Sequence, residues 1–187
     1  SFLTSGRYNL TILLIGENVT RGLSAGGNPG IGRAAVEESK LHIENLLENV
    51  DVIFIVAGLG GGTGTGAAPI VADIARRKGA VVVGVVTTPF RTEKGRIEHA
   101  ARALNYMKRA CDTVVVIDNN KLLELVPVLP VTEAFKVANQ FLADLIKGMV
   151  ETLSSPSLIN LDFADFKTIV KKGGVAVVGV GESDAPN

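Results

Sequence analysis

Residues 51–69 read DVIFIVAGLGGGTGTGAAP, and this stretch decides the fold of the chain. Residues 51–57 form an apolar run with the length of a buried strand, and residues 67–78 have the pattern of a helix that ends at Gly79. The glycine-rich segment Gly58–Gly66 lies directly between them. A strand, a glycine loop and a helix in this order predict a βα unit whose loop lies at the C-terminal edge of a parallel sheet.

Strands and helices alternate along the rest of the chain as well. The predicted strands are apolar throughout, which is typical of a parallel sheet covered by helices on both faces. We therefore predict an α/β fold, a Rossmann-like parallel sheet flanked by helices, in one domain over residues 1–181 with a disordered polar tail at 182–187.

The predicted strands span residues 11–15, 51–57, 80–86, 112–117 and 174–181. The predicted helices span residues 31–48, 67–78, 93–110, 131–153 and 162–172, with a turn at 118–120 and a short helix from there to 126. In the helix at 31–48 the predicted apolar positions are Ala34, Leu41, Ile43, Leu46 and Leu47.

Composition excludes several classes of protein. The chain has 187 residues, 47% of them hydrophobic, and no net charge, which fits one domain with a real core and gives no reason to expect a nucleic-acid or membrane-surface partner. No apolar run reaches the length of a membrane span, and residues 1–9 lack a signal-peptide pattern. Cys111 is the single cysteine, so it forms no internal disulfide and is predicted to be buried. We predict a cytoplasmic protein.

The glycine loop has the chemistry of a phosphate cradle. Without side chains, its backbone N–H groups can approach an anion closely, and the following helix directs the positive end of its dipole to the same place. A glycine-rich turn that only permits close packing is the alternative, but so many glycines are entropically costly without a ligand. The predicted contacts are Gly58, Gly60, Gly61, Gly62, Gly64 and the hydroxyl donors Thr63 and Thr65.

Two common phosphate loops fit this segment poorly. A P-loop requires Lys and then Ser or Thr after its last glycine, whereas Gly66 is followed by Ala67-Ala68-Pro69. Gly62, Gly64 and Ala67 have the G-x-G-x-x-A spacing of a dinucleotide fingerprint. That fingerprint also requires an acid at the end of the next strand, where residues 86–89 read VTTP.

A second segment, Thr20–Pro29, also suits an anion. Ala25, Gly26 and Gly27 are successive small residues whose amides can turn toward one ligand. Asn28 is a plausible helix N-cap with Pro29 at the first helical position. An ordinary cap and a phosphate contact are both compatible with this pattern.

Several motifs in order resemble the tubulin/FtsZ GTPase family. GLGGGTGTGAAP at residues 58–69 is similar to the signature loop of that family, and TRGLSAGGNP at 20–29 resembles the FtsZ loop that senses the γ-phosphate, with Ser24 in place of the usual Gly. Thr87, Pro89, Glu93 and Arg96 resemble the sugar-binding segment. On spacing alone, Glu93 and Arg96 are an i,i+3 ion pair. Residues 118–120 and 157–159 resemble the archaeal type of FtsZ.

The resemblance also implies a purine site. Asn119 is similar to the guanine-contacting Asn of the family, and Phe135 and Asn139 resemble the residues that stack on the base and read it. By default an aromatic on a helical face belongs to the core. An aromatic ring and an amide one turn apart can nevertheless stack on a purine and hydrogen-bond to it. Many FtsZ sequences have Asp at the position of Asn139, which leaves guanine selectivity open.

NLDFAD at residues 160–165 resembles the catalytic loop of the family, and Asn160, Asp162 and Asp165 are its candidate catalytic residues. Capping of a helix by acidic residues is the alternative. The resemblance implies that this loop enters the site of the next subunit and orients the water that attacks GTP, so that hydrolysis requires a head-to-tail filament. It implies GTP or GDP as ligand, Mg²⁺ without an assignable protein ligand, partners in cell division and septation, and a location at the division site.

The resemblance covers nearly all of this chain but only the middle of the family. The chain begins at what looks like the third strand of the family and lacks the family's C-terminal domain. Two further functions are considered. The partial coverage motivates a non-catalytic nucleotide-binding module that caps or poisons filaments, and the G-x-G-x-x-A spacing motivates a nicotinamide-dependent oxidoreductase.

Overall fold

The computed structural model describes residues 11–121, 131–154 and 175–176. Helices and strands alternate through these residues. The helices are α1 (Glu17–Thr20), α2 (Pro29–Glu38), α3 (Lys40–Leu46), α4 (Thr63–Arg77), α5 (Lys94–Ala110) and α6 (Val131–Ser154). The strands are β1 (Val52–Gly58), β2 (Val81–Thr88), β3 (Thr113–Asp118) and the two-residue β4 (Val175–Ala176).

The strands form one parallel sheet in the order β1-β2-β3-β4. Gly58 at the end of β1 pairs with Thr87 of β2, and Thr88 pairs with Asp118 at the end of β3. The C-terminal ends of three strands therefore lie side by side, where an open parallel sheet binds its ligands. The predicted α/β fold with a parallel sheet is confirmed.

The core lies on both faces of the sheet. On one face, Val82, Val86 and Val114 pack against α4 and α5, which bury Ile74 and Met107. On the other face, the four buried residues Val83, Val85, Val115 and Ile117 have Leu142 of α6 packed against them. Two covered faces explain why β2 and β3 are apolar without alternation.

Residues 11–15 do not form the predicted strand. Residues 11–16 belong to no helix or strand, and the side chains there are largely exposed, Ile12 at 85% and Leu14 at 59%. An apolar run becomes a strand only when a neighbouring strand completes its hydrogen bonds, and the ladder of the described sheet does not include these residues. The apolar sequence at 11–15 indicates that these residues tend to be buried, but it does not specify a strand for them to pair with.

The helix predicted at 31–48 is two helices that meet at Ser39. Ser39 caps the end of α2, with a φ of −95° and a ψ of 11°, and its Oγ accepts a hydrogen bond of 3.0 Å from the Gly16 backbone N–H. This break changes the phase of the apolar face. Leu41 and Leu46 are exposed instead of buried, and the buried positions are Ala35, Val36, Ile43 and Leu47.

The remaining boundaries shift by a few residues. The helix predicted to begin at Ala67 begins at Thr63, and β1 includes Gly58, so only residues 59–62 remain as loop. Cys111 is buried as predicted. The elements predicted at 122–126 and 162–172 and the tail at 182–187 lie outside the described residues. Within the described part of the chain, no helix combines the length and the apolarity needed to cross a bilayer.

Candidate functional site

The glycine loop is closed by hydrogen bonds to its own neighbours. The Gly60 N–H donates to Thr65 Oγ1 across 2.8 Å, and the Leu59 N–H donates to the Thr87 carbonyl across 2.9 Å. Thr65, which the sequence predicts as a hydroxyl donor to a ligand, is 6% exposed, and its hydroxyl oxygen accepts a hydrogen bond from the loop. Thr65 therefore fixes the shape of the loop from inside α4.

Consecutive backbone N–H groups at the start of α4 form a candidate anion site. Among the described residues, no acceptor is found for the N–H groups of Gly61, Gly62, Thr63 and Gly64, whereas Gly66 donates to the Gly62 carbonyl. Unpaired N–H groups are expected at the start of a helix, and α4 is 15 residues long. Its N-terminus therefore supplies both donors and a positive dipole end.

Two loop positions require glycine. Gly60 has a φ of +106°, and a Cβ added there would lie 3.0 Å from Cβ of Arg96. A Cβ on Gly64 would lie 2.5 Å from the Gly58 carbonyl oxygen. The loop therefore folds back on itself and on the start of α5 more closely than a side chain allows.

The second predicted phosphate segment lies against the first. Ala25 is buried, and Gly26 and Gly27 both have positive φ, at 57° and 78°. A Cβ added to Gly62 would lie 2.8 Å from both the Ala25 Cβ and the Asn28 backbone nitrogen. The structure thus brings together two segments that lie far apart in the sequence.

The helices that follow these two segments also touch at their first turns. The predicted Asn28 cap is confirmed, because its Oδ1 accepts from the Gly30 N–H at 2.8 Å, and Pro29 is the first residue of α2. A Cβ on Gly66 would lie 2.0 Å from the Pro29 carbonyl oxygen, and one on Gly32 would lie 2.5 Å from the Gly62 carbonyl oxygen. Backbone contact at both places leaves two helix N-termini side by side.

The predicted sugar-binding residues follow β2 at the same edge. Thr87 pairs with Gly58, and Pro89 Cγ lies 3.2 Å from the position of a Cβ on Gly60. Glu93 and Arg96 form the predicted ion pair at 2.9 Å. Since the Arg96 Cβ also lies beside Gly60, this segment borders the glycine loop.

A polar network that the sequence did not predict joins the ends of β2 and β3. Asp118 Oδ1 accepts hydrogen bonds from the Asn120 N–H at 2.9 Å, from Asn120 Nδ2 at 2.7 Å and from Thr88 Oγ1 at 3.4 Å. Asn120 Oδ1 accepts from the Arg91 N–H at 2.9 Å, and Asn120 Nδ2 also donates to the Pro89 carbonyl at 3.4 Å. The Asp-Asn-Asn sequence signals a turn, but not its partners in another segment.

The charge of Asp118 is stabilised by this network. Burial alone would raise the pKa of the Asp118 carboxyl. The hydrogen bonds from the Asn120 backbone, the Asn120 side chain and Thr88, together with the Arg91 charge, outweigh burial and hold that pKa below its ordinary value. Asp118 is therefore ionised wherever the protein works near neutral pH.

The predicted base-binding residues are only partly described. Asn119 is half-buried in the helical turn between Asp118 and Asn120. Phe135 and Asn139 lie one turn apart on the backbone of α6, and Asn139 is exposed. The candidate catalytic residues Asn160, Asp162 and Asp165 lie outside the described residues.

The described residues form no metal centre at the glycine loop, and a cavity beside α4 lies mostly outside that loop. In residues 11–121, 131–154 and 175–176, no group of three or more His, Cys, Asp or Glu side chains could hold a metal ion. This cavity of about 480 Å³ is lined by residues of α2, α4 and α5, among them Arg33, Ile70 and Tyr106. It reaches Thr65 and Gly66 but not Gly61, Gly62, Thr63 or Gly64.

Comparison with known proteins agrees with the resemblance of the motifs. Residues 2–127 match the Tubulin/FtsZ family, GTPase domain. The chain is 54% identical over 173 residues to cell division protein FtsZ 2 of the archaeon Methanocaldococcus jannaschii, an alignment that covers 92% of this chain and 46% of that protein. The chain thus spans about half the length of the curated relatives it matches.

Solved structures show the same fold. An FtsZ mutant from M. jannaschii matches with a TM-score of 0.87 and 50% identity, covering 92% of this chain and 52% of that one. An empty FtsZ dimer from the same organism matches with a TM-score of 0.82 and 49% identity, covering 86% of this chain and 47% of that one. The similarity to FtsZ of the archaeal type is confirmed.

Proposed function

Because this chain belongs to the tubulin/FtsZ family, we propose that it binds GTP or GDP where the N-termini of α2 and α4 meet. The observation that supports this proposal is the set of unpaired N–H groups at Gly61, Gly62, Thr63 and Gly64 beside the Gly26-Gly27 turn. Such a site can hold a polyphosphate without a cluster of basic side chains, which suits a chain of zero net charge.

The other parts of the nucleotide have candidate contacts around this centre. The phosphates would lie against residues 25–28 and the loop from Gly58 to Thr65. The ribose would lie against Thr87, Pro89, Glu93 and Arg96, and the base against Asn119, Phe135 and Asn139. The contact of Gly60 with Pro89 and Arg96 supports this assignment, because it makes the phosphate and ribose segments neighbours.

We further propose that the chain takes part in GTP hydrolysis within a head-to-tail polymer in the cytoplasm, with other division proteins as partners of the whole protein. Asn160, Asp162 and Asp165 would position and polarise the attacking water at the site of the next subunit. Mg²⁺, held by the phosphates and water, would neutralise charge on the phosphates. The solved dimer of a related FtsZ supports self-association. A head-to-tail contact whose rotation does not close would build an open filament.

Turnover of GTP per molecule, measured over a range of protein concentrations, tests this proposal. A site assembled between subunits predicts no turnover at low concentration and a rise above a threshold. Asp165→Ala should abolish the turnover and leave GTP binding intact. A rate per molecule that is independent of concentration would contradict an intersubunit site.

The filament-capping alternative differs in the turnover that it predicts. It predicts GTP binding without turnover and inhibition of the filaments of a full-length relative at substoichiometric amounts. No effect on those filaments at equal concentration would exclude it. The nicotinamide hypothesis gains no support from the family match, and it fails if GTP binds and NAD does not.

A further inference from the structure

The polar network between the ends of β2 and β3 contains more hydrogen bonds than a local turn requires. Asp118 Oδ1 receives three donors, and both polar atoms of the Asn120 side chain are used within the chain. The partners Thr88, Pro89 and Arg91 lie 29 to 31 residues earlier in the sequence. The network therefore fastens one loop to another, which is more than a local turn requires.

Its position relates it to the nucleotide site. Residues 88–91 continue directly from Thr87 and include Pro89, which borders Gly60. Asn119 lies between Asp118 and Asn120, so the backbone is held on both sides of it. A ribose-contacting segment and a base-contacting residue would thus take their relative positions from the same two side chains.

We propose that Asp118 and Asn120 are positioning residues that fix the ribose-and-base half of the nucleotide site, a pair that we call the loop latch. This inference rests on the proposed nucleotide binding. The latch hydrogen bonds use both Nδ2 hydrogens and one lone pair of the Asn120 amide within the chain, so we assign these side chains to positioning rather than to ligand contact. The phosphate half of the site, formed by α2, α4 and the glycine loop, is organised without the latch.

If the latch positions only the ribose-and-base half, its loss should change the affinity for GTP but not that for tripolyphosphate. Asn120→Ala and Asp118→Ala should weaken binding of GTP about tenfold, the equivalent of losing a hydrogen bond to a charged group. Binding of inorganic tripolyphosphate, which reaches only the phosphate half, should be unchanged. Asp118→Asn keeps an acceptor oxygen and should weaken GTP binding less than Asp118→Ala. General destabilisation would weaken both ligands together, so this split separates positioning from a merely structural role.

Asn105→Ala is the matched control, because Asn105 is exposed on α5, where its backbone carbonyl accepts from Arg109 Nε. It should bind both ligands as the unaltered chain does. Equal affinity of Asn120→Ala and the unaltered chain for GTP would overturn the latch, and so would a parallel loss of GTP and tripolyphosphate.

Amide hydrogen exchange tests the latch without nucleotide. In Asn120→Ala, exchange of the Arg91 N–H should accelerate about tenfold, since its acceptor is removed, while the β2 amides keep their rates. An unchanged Arg91 rate would overturn the latch. If the unaltered chain binds neither GTP nor tripolyphosphate, the proposed function fails and the latch has no role in binding, while the exchange rates still decide whether the two loops are fastened.

Discussion

The backbone of Gly62 lies against the backbone of Asn28, so closely that a Cβ on Gly62 would come within 2.8 Å of the Asn28 nitrogen. Gly62 ends the glycine loop and Asn28 caps α2. The two anion-binding segments are therefore parts of one packed unit. Glycine is required at residue 62 by this contact and not by its dihedral angles, because φ is −83° and ψ is −58°, which any residue adopts.

Gly62→Ala should therefore separate the two segments. The added methyl also meets the Ala25 Cβ, so we expect a loss of about 1–3 kcal/mol in the free energy of unfolding. Gly61→Ala is the matched control for stability, because a Cβ on Gly61 meets nothing within 4 Å. Urea denaturation of both variants measures the difference. Equal midpoints would show that the contact between the segments does not contribute to stability.

Thr65→Val should destabilise the glycine loop from within. The substitution keeps the shape of the side chain but removes the acceptor of the Gly60 N–H, and a buried donor left unpaired costs about 1–3 kcal/mol. Thr65→Ser keeps the hydroxyl and should retain most of the stability. Thermal unfolding of both variants provides the comparison. A Val variant as stable as the Ser variant would show that the hydrogen bond from Gly60 to Thr65 does not stabilise the loop.

Cys111 should not react with thiol reagents in the folded chain. Burial and the nearby Asp112 charge raise the pKa of the Cys111 thiol to about 12. The Arg76 charge acts in the opposite direction but does not outweigh them. Because the folded pKa is the higher one, the resulting stability is complete below about pH 8.5 and is lost as pH rises toward 12. Labelling with iodoacetamide at pH 8 should occur only on addition of denaturant. Rapid labelling of the native chain would contradict this burial.

The stability that the loop latch contributes should be lost at low pH, whereas that of the buried Cys111 thiol is lost at high pH. The folded pKa of Asp118 is depressed, so the stabilisation from its ionised carboxylate is complete above the ordinary value of about 3.9 and is lost as pH falls through the folded pKa. Arg91 is the charged group that acts on this carboxyl. The Asn120 amide chemical shift, followed by NMR during an acid titration, should report the transition. Asp118→Asn should remove it, and persistence of the transition in that variant would assign it to another group.

The sequence predicted those features that depend on neighbouring residues. The βα unit around residues 51–78 and the Asn28 cap follow from local patterns of apolar residues, glycine and asparagine. Features that depend on distant partners were wrong or missed. Residues 11–15 are apolar but have no strand partner in the described sheet, and Ser39 breaks a helix where its hydroxyl meets Gly16.

In the candidate site, too, local features could be predicted from the sequence and contacts between distant residues could not. The sequence identified the glycine loop and residues 25–28 as anion-binding segments, but nothing in their spacing shows that Gly62 and Asn28 touch. The sequence predicts a ligand contact for Thr65, but it does not show that the Thr65 hydroxyl accepts from the Gly60 N–H, because that hydrogen bond depends on how the loop packs on α4. The partners of Asn120 lie about 30 residues away and carry no signal of their own.

Calorimetric titration of the 187-residue chain with GTP tests the central claim most directly. The account predicts saturable binding at one site, competition by GDP and by inorganic tripolyphosphate, and weaker binding in Gly62→Ala. No binding of GTP, or equal binding of NAD, would contradict the assignment of a guanine-nucleotide site to the junction of α2 and α4.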